Sequence, residues 1–147
     1  MIEGLHHIGV AVRSLAEALP QWTKVLGMRL QGIEDVPTER VRVAILWAGS
    51  TRIELLEPTS PDSPIAKFID KRGPGVHHLA LKCGDAAESI QVLAAAGAPM
   101  LDRSPRPGAH DTLVAFVHPK YLDGVLLELV QDPPDEHGCR KTGVGPS

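Results

Sequence analysis

Two histidines and two glutamates recur at matching positions of the chain and could together bind a metal ion. His7 and His78 lie 71 residues apart, and Glu54 and Glu128 lie 74 apart, each glutamate inside a short apolar segment. A buried carboxylate needs a partner. Two carboxylates about 4 Å apart repel by roughly 4 kcal/mol at an effective dielectric near 20. If the four side chains converge, a divalent cation would relieve this repulsion and leave positions for water or substrate.

These positions belong to a repeat that extends along the chain. Each copy has a helix start with capping-box spacing, followed by a glycine suited to the helix C-terminus. The paired landmarks are Ser14-x-x-Glu17 with Gly27, and Asp85-x-x-Glu88 with Gly97. The conserved order of the landmarks indicates a tandem duplication, with modules at 5–58 and 76–131 joined by a linker helix region at 63–75.

Each module is predicted to contain a strand, a helix and three further strands, which is an α+β fold in one domain over residues 1–131. Pro20 is expected to kink the first helix or delay its start. The predicted strands are 5–12, 28–33, 40–47 and 52–57 in the first module, and 76–83, 99–101, 112–118 and 125–131 in the second. The predicted helices are 15–26, 65–72 and 86–96, and residues 132–147 are expected to form a tail.

The strand pattern explains how the four side chains could meet. Residues i and i+2 of a strand share a face, so His7 lies beside Gly9 and His78 beside Ala80, which leaves room for each imidazole. If the modules pack about a pseudo-two-fold axis, equivalent faces meet and the histidines and glutamates converge. The preceding residues, His6 and His77, are expected on the opposite face, in a core or surface role.

Simpler interpretations stand beside this one. A single strand histidine is more often structural, and a single strand glutamate more often faces solvent; the repetition in both modules favours the four-ligand site. The loop Arg106–His110 is either a connector or a substrate loop with backbone N–H groups available to an anion. Lys120 is expected to be solvated, and His137 and Cys139 to be tail residues.

Composition excludes several classes of function. The net charge is −3 and the aromatic residues are two Trp, two Phe and one Tyr, so nothing favours nucleic-acid or membrane binding. The first residues do not resemble a secretory signal, and Cys83 and Cys139 form no Cys-x-x-Cys motif, which together predict a cytoplasmic protein. Motifs of nucleotide hydrolysis, dinucleotide binding and serine hydrolysis are absent from the sequence.

Several segments resemble the vicinal oxygen chelate superfamily, which includes glyoxalases, bleomycin resistance proteins and dioxygenases. The likeness covers residues 5–131 and is closest to the methylmalonyl-CoA epimerases. The segments that carry it are His7–Val12, Ile53–Pro58, Ser63–Phe68, Gly75–His78, Arg106–His110, Phe116–Lys120 and Gly124–Leu129. The resemblance implies a cupped mixed sheet with a central metal site, and a homodimer that acts on a CoA thioester.

The same resemblance implies a role for each candidate residue. His7, Glu54, His78 and Glu128 would be ligands of a divalent metal, foremost Co²⁺, with Zn²⁺, Mn²⁺ or Ni²⁺ as alternatives. The reaction would be proton exchange at the α-carbon of methylmalonyl-CoA through a metal-stabilised enolate. Glu128 is the first candidate for the base and Glu54 the second.

One departure from the family pattern leaves the second acid–base group open. Some members carry an additional glutamate on the strand before the Glu54 strand, where this chain has Arg42–Ile45. Two other functions stay open on this evidence. One is a glyoxalase I-type lyase acting on a glutathione hemithioacetal, and the other is a small-molecule-binding module without enzymatic activity. An extradiol dioxygenase is disfavoured, because it would use one carboxylate ligand rather than two.

Overall fold

A computed structural model describes residues 1–134 and contains eight strands and three α-helices. The strands are β1 (Ile2–Ala11), β2 (Arg29–Val36), β3 (Val41–Ala48), β4 (Thr51–Pro58), β5 (Gly75–Cys83), β6 (Arg106–Pro107), β7 (Leu113–Val117) and β8 (Leu127–Gln131). The α-helices are α1 (Leu15–Pro20), α2 (Pro64–Arg72) and α3 (Ala86–Ala95). Shorter helical turns cover Gln21–Val25, Ala109–Asp111 and Pro119–Leu122. Within this part of the chain, no helix has the length and apolar character needed to cross a membrane.

The strands form one mixed sheet in which the two modules are arranged symmetrically. The order is β2-β3-β4-β1-β5-β8-β7-β6, so the first strands of the two modules are neighbours at the centre. β1 pairs antiparallel with β5, while each pairs in parallel with the last strand of its own module, β4 or β8. The predicted α+β fold is confirmed, and the central pair joins the modules.

Strand β3 of the first module is buried on both faces. Val43 and Ile45 of β3 pack towards α2, whereas Ala44 and Leu46, which alternate with them, pack towards α1. This double burial explains why β3 is almost continuously apolar. On β4, Leu55 packs on the α1 side, so Glu54 faces the other side of the sheet. The alternation therefore directs this glutamate towards the α2 side.

The predicted helix caps are present. The Ser14 hydroxyl accepts a hydrogen bond from the Glu17 N–H at 3.2 Å, and the Asp85 carboxylate accepts one from the Glu88 N–H at 3.0 Å. Gly27 and Gly97, which follow the two helices, have φ values of 72° and 89°. Such left-handed backbone favours glycine, as the sequence predicts.

Pro20 disrupts the first helix, as expected, and the disruption takes a particular form. The α-helix ends at Pro20, and Gln21–Val25 continue as a π-helical turn. The Leu26 N–H donates to the Gln21 carbonyl, five residues earlier, at 3.0 Å. Proline has no N–H to donate and its ring crowds the preceding turn, so the regular hydrogen-bond ladder cannot pass through it.

The predicted strand at 99–101 is wrong. This segment is reduced to a single bridge between Met100 and Val117, and the outer neighbour of β7 is instead β6, Arg106–Pro107. Pro99 cannot donate to a ladder, which limits pairing in the predicted segment. Pro107 is tolerated in β6 because β6 is an edge strand.

Gly9 provides a test of the packing between the modules. A Cβ at this position would lie 2.6 Å from Nε2 of His78, whereas a Cβ at Gly4, on the same strand, would meet nothing within 4 Å. We therefore expect Gly9→Ala to displace the His78 ring and to lower the free energy of unfolding by about 1–3 kcal/mol. Gly4→Ala is the matched control and should change it by less than about 0.5 kcal/mol. Equal denaturation midpoints for the two variants would contradict this account of the packing.

Candidate active site

A cavity of about 220 Å³ lies between the two modules. All four residues proposed as ligands line it, together with Glu39, His77 and Arg106. The rest of the lining is mostly apolar and comprises Val36, Val41, Val43, Leu56, Pro64, Ile65, Leu101, Gly108, Ala109, Val114, Phe116 and Leu126. The predicted convergence therefore takes place inside a largely apolar pocket.

Strand register accounts for this convergence. Gly9 of β1 lies opposite His78 of β5 on one side and opposite Glu54 of β4 on the other. Ala80 of β5 lies in the same way between His7 and Glu128. Each small residue therefore leaves space between the histidine of one module and the glutamate of the other.

Three of the four side chains bring their donor atoms to one point. Nε2 of His7 and Nε2 of His78 are 2.9 Å apart. Oε2 of Glu128 lies 2.7 Å from Nε2 of His78 and 3.3 Å from Nε2 of His7. All three residues are buried. We refer to His7, His78 and Glu128 as the donor cluster.

Glu54 lies in the same cavity but on the other side of the His7 ring. Its Oε2 is 3.1 Å from Nδ1 of His7, not from Nε2. Nη1 of Arg52 approaches the same oxygen at 3.8 Å. Glu54 therefore adjoins the donor cluster through His7 and has its own positively charged neighbour.

The donor cluster fits a divalent cation. Ligand atoms bound at about 2.1 Å lie about 3.0 Å apart in octahedral geometry and about 3.4 Å apart in tetrahedral geometry, and the separations here are 2.7–3.3 Å. Two imidazole nitrogens and a carboxylate oxygen suit Co²⁺, Zn²⁺, Mn²⁺ and Ni²⁺. A histidine that binds metal through Nε2 usually donates its Nδ1–H to an acceptor, and Glu54 is placed to accept it from His7.

His6 and His77 do not lie on the opposite face as predicted. Nδ1 of His6 is 2.7 Å from Nδ1 of His7, and Nδ1 of His77 is 3.0 Å from Nδ1 of His78. The pairing of β1 with β5 shifts register between Leu5 and His7, and again where partners pass from His78 to Val76. His6 and His77 are thus the extra residues of two β-bulges, which interrupt the alternation of faces.

The two extra histidines have different surroundings. Nε2 of His6 contacts Oδ1 of Asp132 at 2.9 Å, and this hydrogen bond lowers the pKa of Asp132 to about 2. His77 packs edge-on against Phe68, with ring centroids 4.9 Å apart. Burial, reinforced by His78, lowers the pKa of His77 to about 4, so its imidazole is neutral at physiological pH. Asp132 is therefore attached to the sheet, although the sequence assigns it to the tail.

The donor cluster keeps Glu128 ionised. Burial raises the pKa of Glu128, but the adjacent His78 and hydrogen bonds from both histidines outweigh it and hold that pKa well below its usual range. An ionised carboxylate can bind a cation or accept a proton.

Glu39 is a cavity residue that sequence reasoning missed. It lies in the turn between β2 and β3 and forms an ion pair with Arg106 of the second module. Burial raises the pKa of Glu39, against the opposing effect of Arg106. Its position depends on a contact between modules, which no local pattern indicates. Of the predicted loop Arg106–His110, Arg106, Gly108 and Ala109 reach the cavity. His137 and Cys139 lie outside the described residues.

Comparison with known proteins identifies the family. The model of the Glyoxalase/Bleomycin resistance protein/Dioxygenase superfamily matches residues 6–116. The chain belongs to this superfamily. The resemblance inferred from the sequence motifs is confirmed, and the sheet with its central cavity is the superfamily's fold.

Two superfamily relatives are similar over nearly their whole length. The uncharacterised protein YqjC of Bacillus subtilis is 40% identical, over 90% of this chain and 95% of its own. The ethylmalonyl-CoA/methylmalonyl-CoA epimerase of Cereibacter sphaeroides is 38% identical, over 89% of this chain and 99% of its own.

Solved structures of superfamily members agree with the fold. The methylmalonyl-CoA epimerase of Mycobacterium tuberculosis matches with a TM-score of 0.87 and 34% identity, over 94% of this chain and 93% of its own. A methylmalonyl-CoA epimerase in complex with methylmalonyl-CoA and NH4⁺ matches with a TM-score of 0.85 and 31% identity, over 90% of this chain and 96% of its own.

Metal binding can be tested at Glu128. We expect Glu128→Gln to weaken Co²⁺ binding at least about 100-fold, because loss of even an outer-shell partner commonly costs 10–100-fold. The measurement is calorimetric titration of metal-stripped protein, with metal analysis after dialysis. Glu57→Gln is the matched control, since Glu57 also forms an ion pair but does not line the cavity. Unchanged stoichiometric binding by Glu128→Gln would remove this residue from the ligand set.

Proposed function

We propose that this protein is a metal-dependent epimerase that interconverts the 2R and 2S forms of methylmalonyl-CoA. The observation that carries the proposal is the donor cluster, which is assembled from both modules inside an apolar cavity. The epimerases of similar sequence and fold support the reaction and the CoA-thioester substrate.

The reaction needs stabilisation of an enolate, because a C–H bond between a carboxylate and a thioester is only weakly acidic. A divalent cation held by the donor cluster would supply positive charge where the enolate's negative charge develops. A bound acyl group that fills the space between the apolar walls would displace water, which would strengthen that electrostatic effect. Glu128 is held ionised at the base of the cavity and is the first candidate to accept the α-proton; Glu54 is the second.

The proposal also covers the identity of the metal, the oligomeric state and the cellular location. His7, His78 and Glu128 would hold the cation directly, with Glu54 as the fourth candidate ligand beside His7. Co²⁺ is the metal we propose, and Zn²⁺, Mn²⁺ and Ni²⁺ suit the same donors. A homodimer and a cytoplasmic location stay predictions from the family resemblance and the sequence.

Solvent exchange tests the reaction directly. We expect the Co²⁺-loaded protein to incorporate deuterium at the α-carbon of methylmalonyl-CoA in heavy water and to convert either pure epimer into the mixture. Mass spectrometry follows the label, and chiral analysis of the released acid follows the configuration. Metal-loaded protein that gives neither deuterium nor the second epimer would overturn the proposal.

Two companion assays separate the related functions. Ethylmalonyl-CoA, offered under the same conditions, shows whether the cavity accepts the longer acyl group. Methylglyoxal with glutathione tests the glyoxalase I-type reaction, which uses the same kinds of ligand. Turnover of the hemithioacetal without exchange in methylmalonyl-CoA would favour the lyase. Stoichiometric binding of acyl-CoA without any turnover would favour a binding module.

A further inference from the structure

We propose that Glu39 is the second acid–base group of this site and faces the α-carbon from the side of the cavity opposite Glu128. This inference rests on the proposed epimerase function and deepens it. Inversion at carbon requires removal of a proton from one face and delivery of a proton to the other, so a single carboxylate at the base of the cavity is insufficient.

The carboxylates available to the cavity are few. Among the described residues that line it, three carry a carboxylate: Glu39, Glu54 and Glu128. Glu54 and Glu128 stand on sheet strands and contact the two nitrogens of the His7 ring, Nδ1 and Nε2 respectively. Glu39 belongs to the β2–β3 turn and contacts neither histidine of the donor cluster. It is therefore the carboxylate placed to reach the other face of a bound acyl group.

Exposure places Glu39 at the mouth of the cavity. Its side chain is 20% exposed and that of its partner Arg106 is 35% exposed, whereas the side chain of Glu128 is 9% exposed. An acyl group that enters the mouth and reaches the donor cluster would pass between Glu39 and Glu128. Its α-carbon would then have one carboxylate on each side.

The position of Glu39 is fixed by contacts across the modules. Nη1 of Arg106 donates to Oε1 of Glu39, and Nε of Arg106 lies 2.9 Å from Oδ1 of Asp102. The same guanidinium lies over the Phe116 ring, 5.4 Å from its centroid. Arg106 thus acts as a positioning residue that holds the Glu39 carboxylate at the mouth.

The electrostatic surroundings make Glu39 suited to hold a proton. Burial raises its pKa, Arg106 opposes that rise, and the negative charges of Glu128 and Asp102 reinforce it. These surroundings favour the protonated form of the Glu39 carboxyl group.

The proton balance of the step is simple. The carboxylate of Glu128 takes the α-proton, and the electron pair of the broken C–H bond passes into the enolate. The carboxylic acid of Glu39 then donates its proton to the opposite face of the α-carbon, and the pair returns to form the new C–H bond. The reverse conversion uses the two residues in exchanged roles, and solvent restores their protonation.

Glu39→Gln is the decisive variant, because it keeps an oxygen for Arg106 but cannot exchange a proton. We expect epimerisation to fall at least about 100-fold. Exchange of the α-proton in heavy water should continue for one epimer, with retention of configuration, and be lost for the other. Co²⁺ binding, measured by calorimetric titration, should stay within about twofold of the unsubstituted protein.

Two further variants complete the experiment. Glu57→Gln is the matched control, since Glu57 has a similarly exposed side chain, at 22%, is ion-paired with Arg42 and lies outside the cavity lining. It should leave epimerisation and exchange unchanged. Glu39→Asp restores a carboxylate and should recover at least about a tenth of the original rate, so it tests the role even if Glu39→Gln is poorly folded.

The outcomes distinguish this inference from the proposed function. If the unsubstituted, metal-loaded protein neither exchanges nor epimerises, the proposed function fails. If it does both, and Glu39→Gln epimerises at an undiminished rate, the inference about Glu39 is wrong. Equal loss of exchange from both epimers by Glu39→Gln would also overturn it, because an acid–base group on one face affects the two epimers differently.

Discussion

The antiparallel pairing of β1 with β5 is the constraint on which the site depends. This pair joins the modules, and its register sets His78 opposite Gly9 and His7 opposite Ala80. A slip of one residue would turn every side chain of one strand to the other face and separate the histidines. The same two strands pair in parallel with β4 and β8, so the glutamates are fixed by the same register. Fold and site are therefore specified together.

The donor cluster concentrates charge and polarity where the rest of the interior is apolar. His7, His78 and Glu128 are buried beneath walls of valine, leucine and isoleucine. Burying such groups is costly unless they are paired with one another or with a cation. The close contacts among them supply part of that pairing. The surrounding apolar side chains lower the local polarity, and this strengthens electrostatic interactions within the pocket.

The sequence predicts most of this arrangement because the relevant signals are local or repeated. The order of elements, the caps at Ser14 and Asp85, and the disruption at Pro20 follow from neighbouring residues. The convergence of the histidines and glutamates follows from the recurrence of the same residue types at matching positions of the two modules. Features that depend on contacts between distant segments could not be predicted in this way. The pairing of Arg106–Pro107 with β7 and the ion pair between Glu39 and Arg106 are of this kind.

The β-bulges show a further limit of pattern reasoning. A period of two assigns His6 and His77 to the face opposite their neighbours, and nothing in the residue types marks an extra residue in the ladder. The bulges become visible only when the register of both strands is known. Once they are included, each histidine of the donor cluster has an adjacent histidine within hydrogen-bond distance, and His77 also lines the cavity.

The two modules differ in the small residue that lies beside each imidazole. Ala80 carries a methyl group opposite His7, whereas the space over Gly9 is filled by the His78 ring itself. The residue opposite each imidazole therefore differs: it is a glycine for His78 and an alanine for His7. A protein assembled from two copies of the first module would set glycine against both rings and would lack Arg106, which faces Glu39. The two modules therefore contribute different groups to the cavity and are not interchangeable.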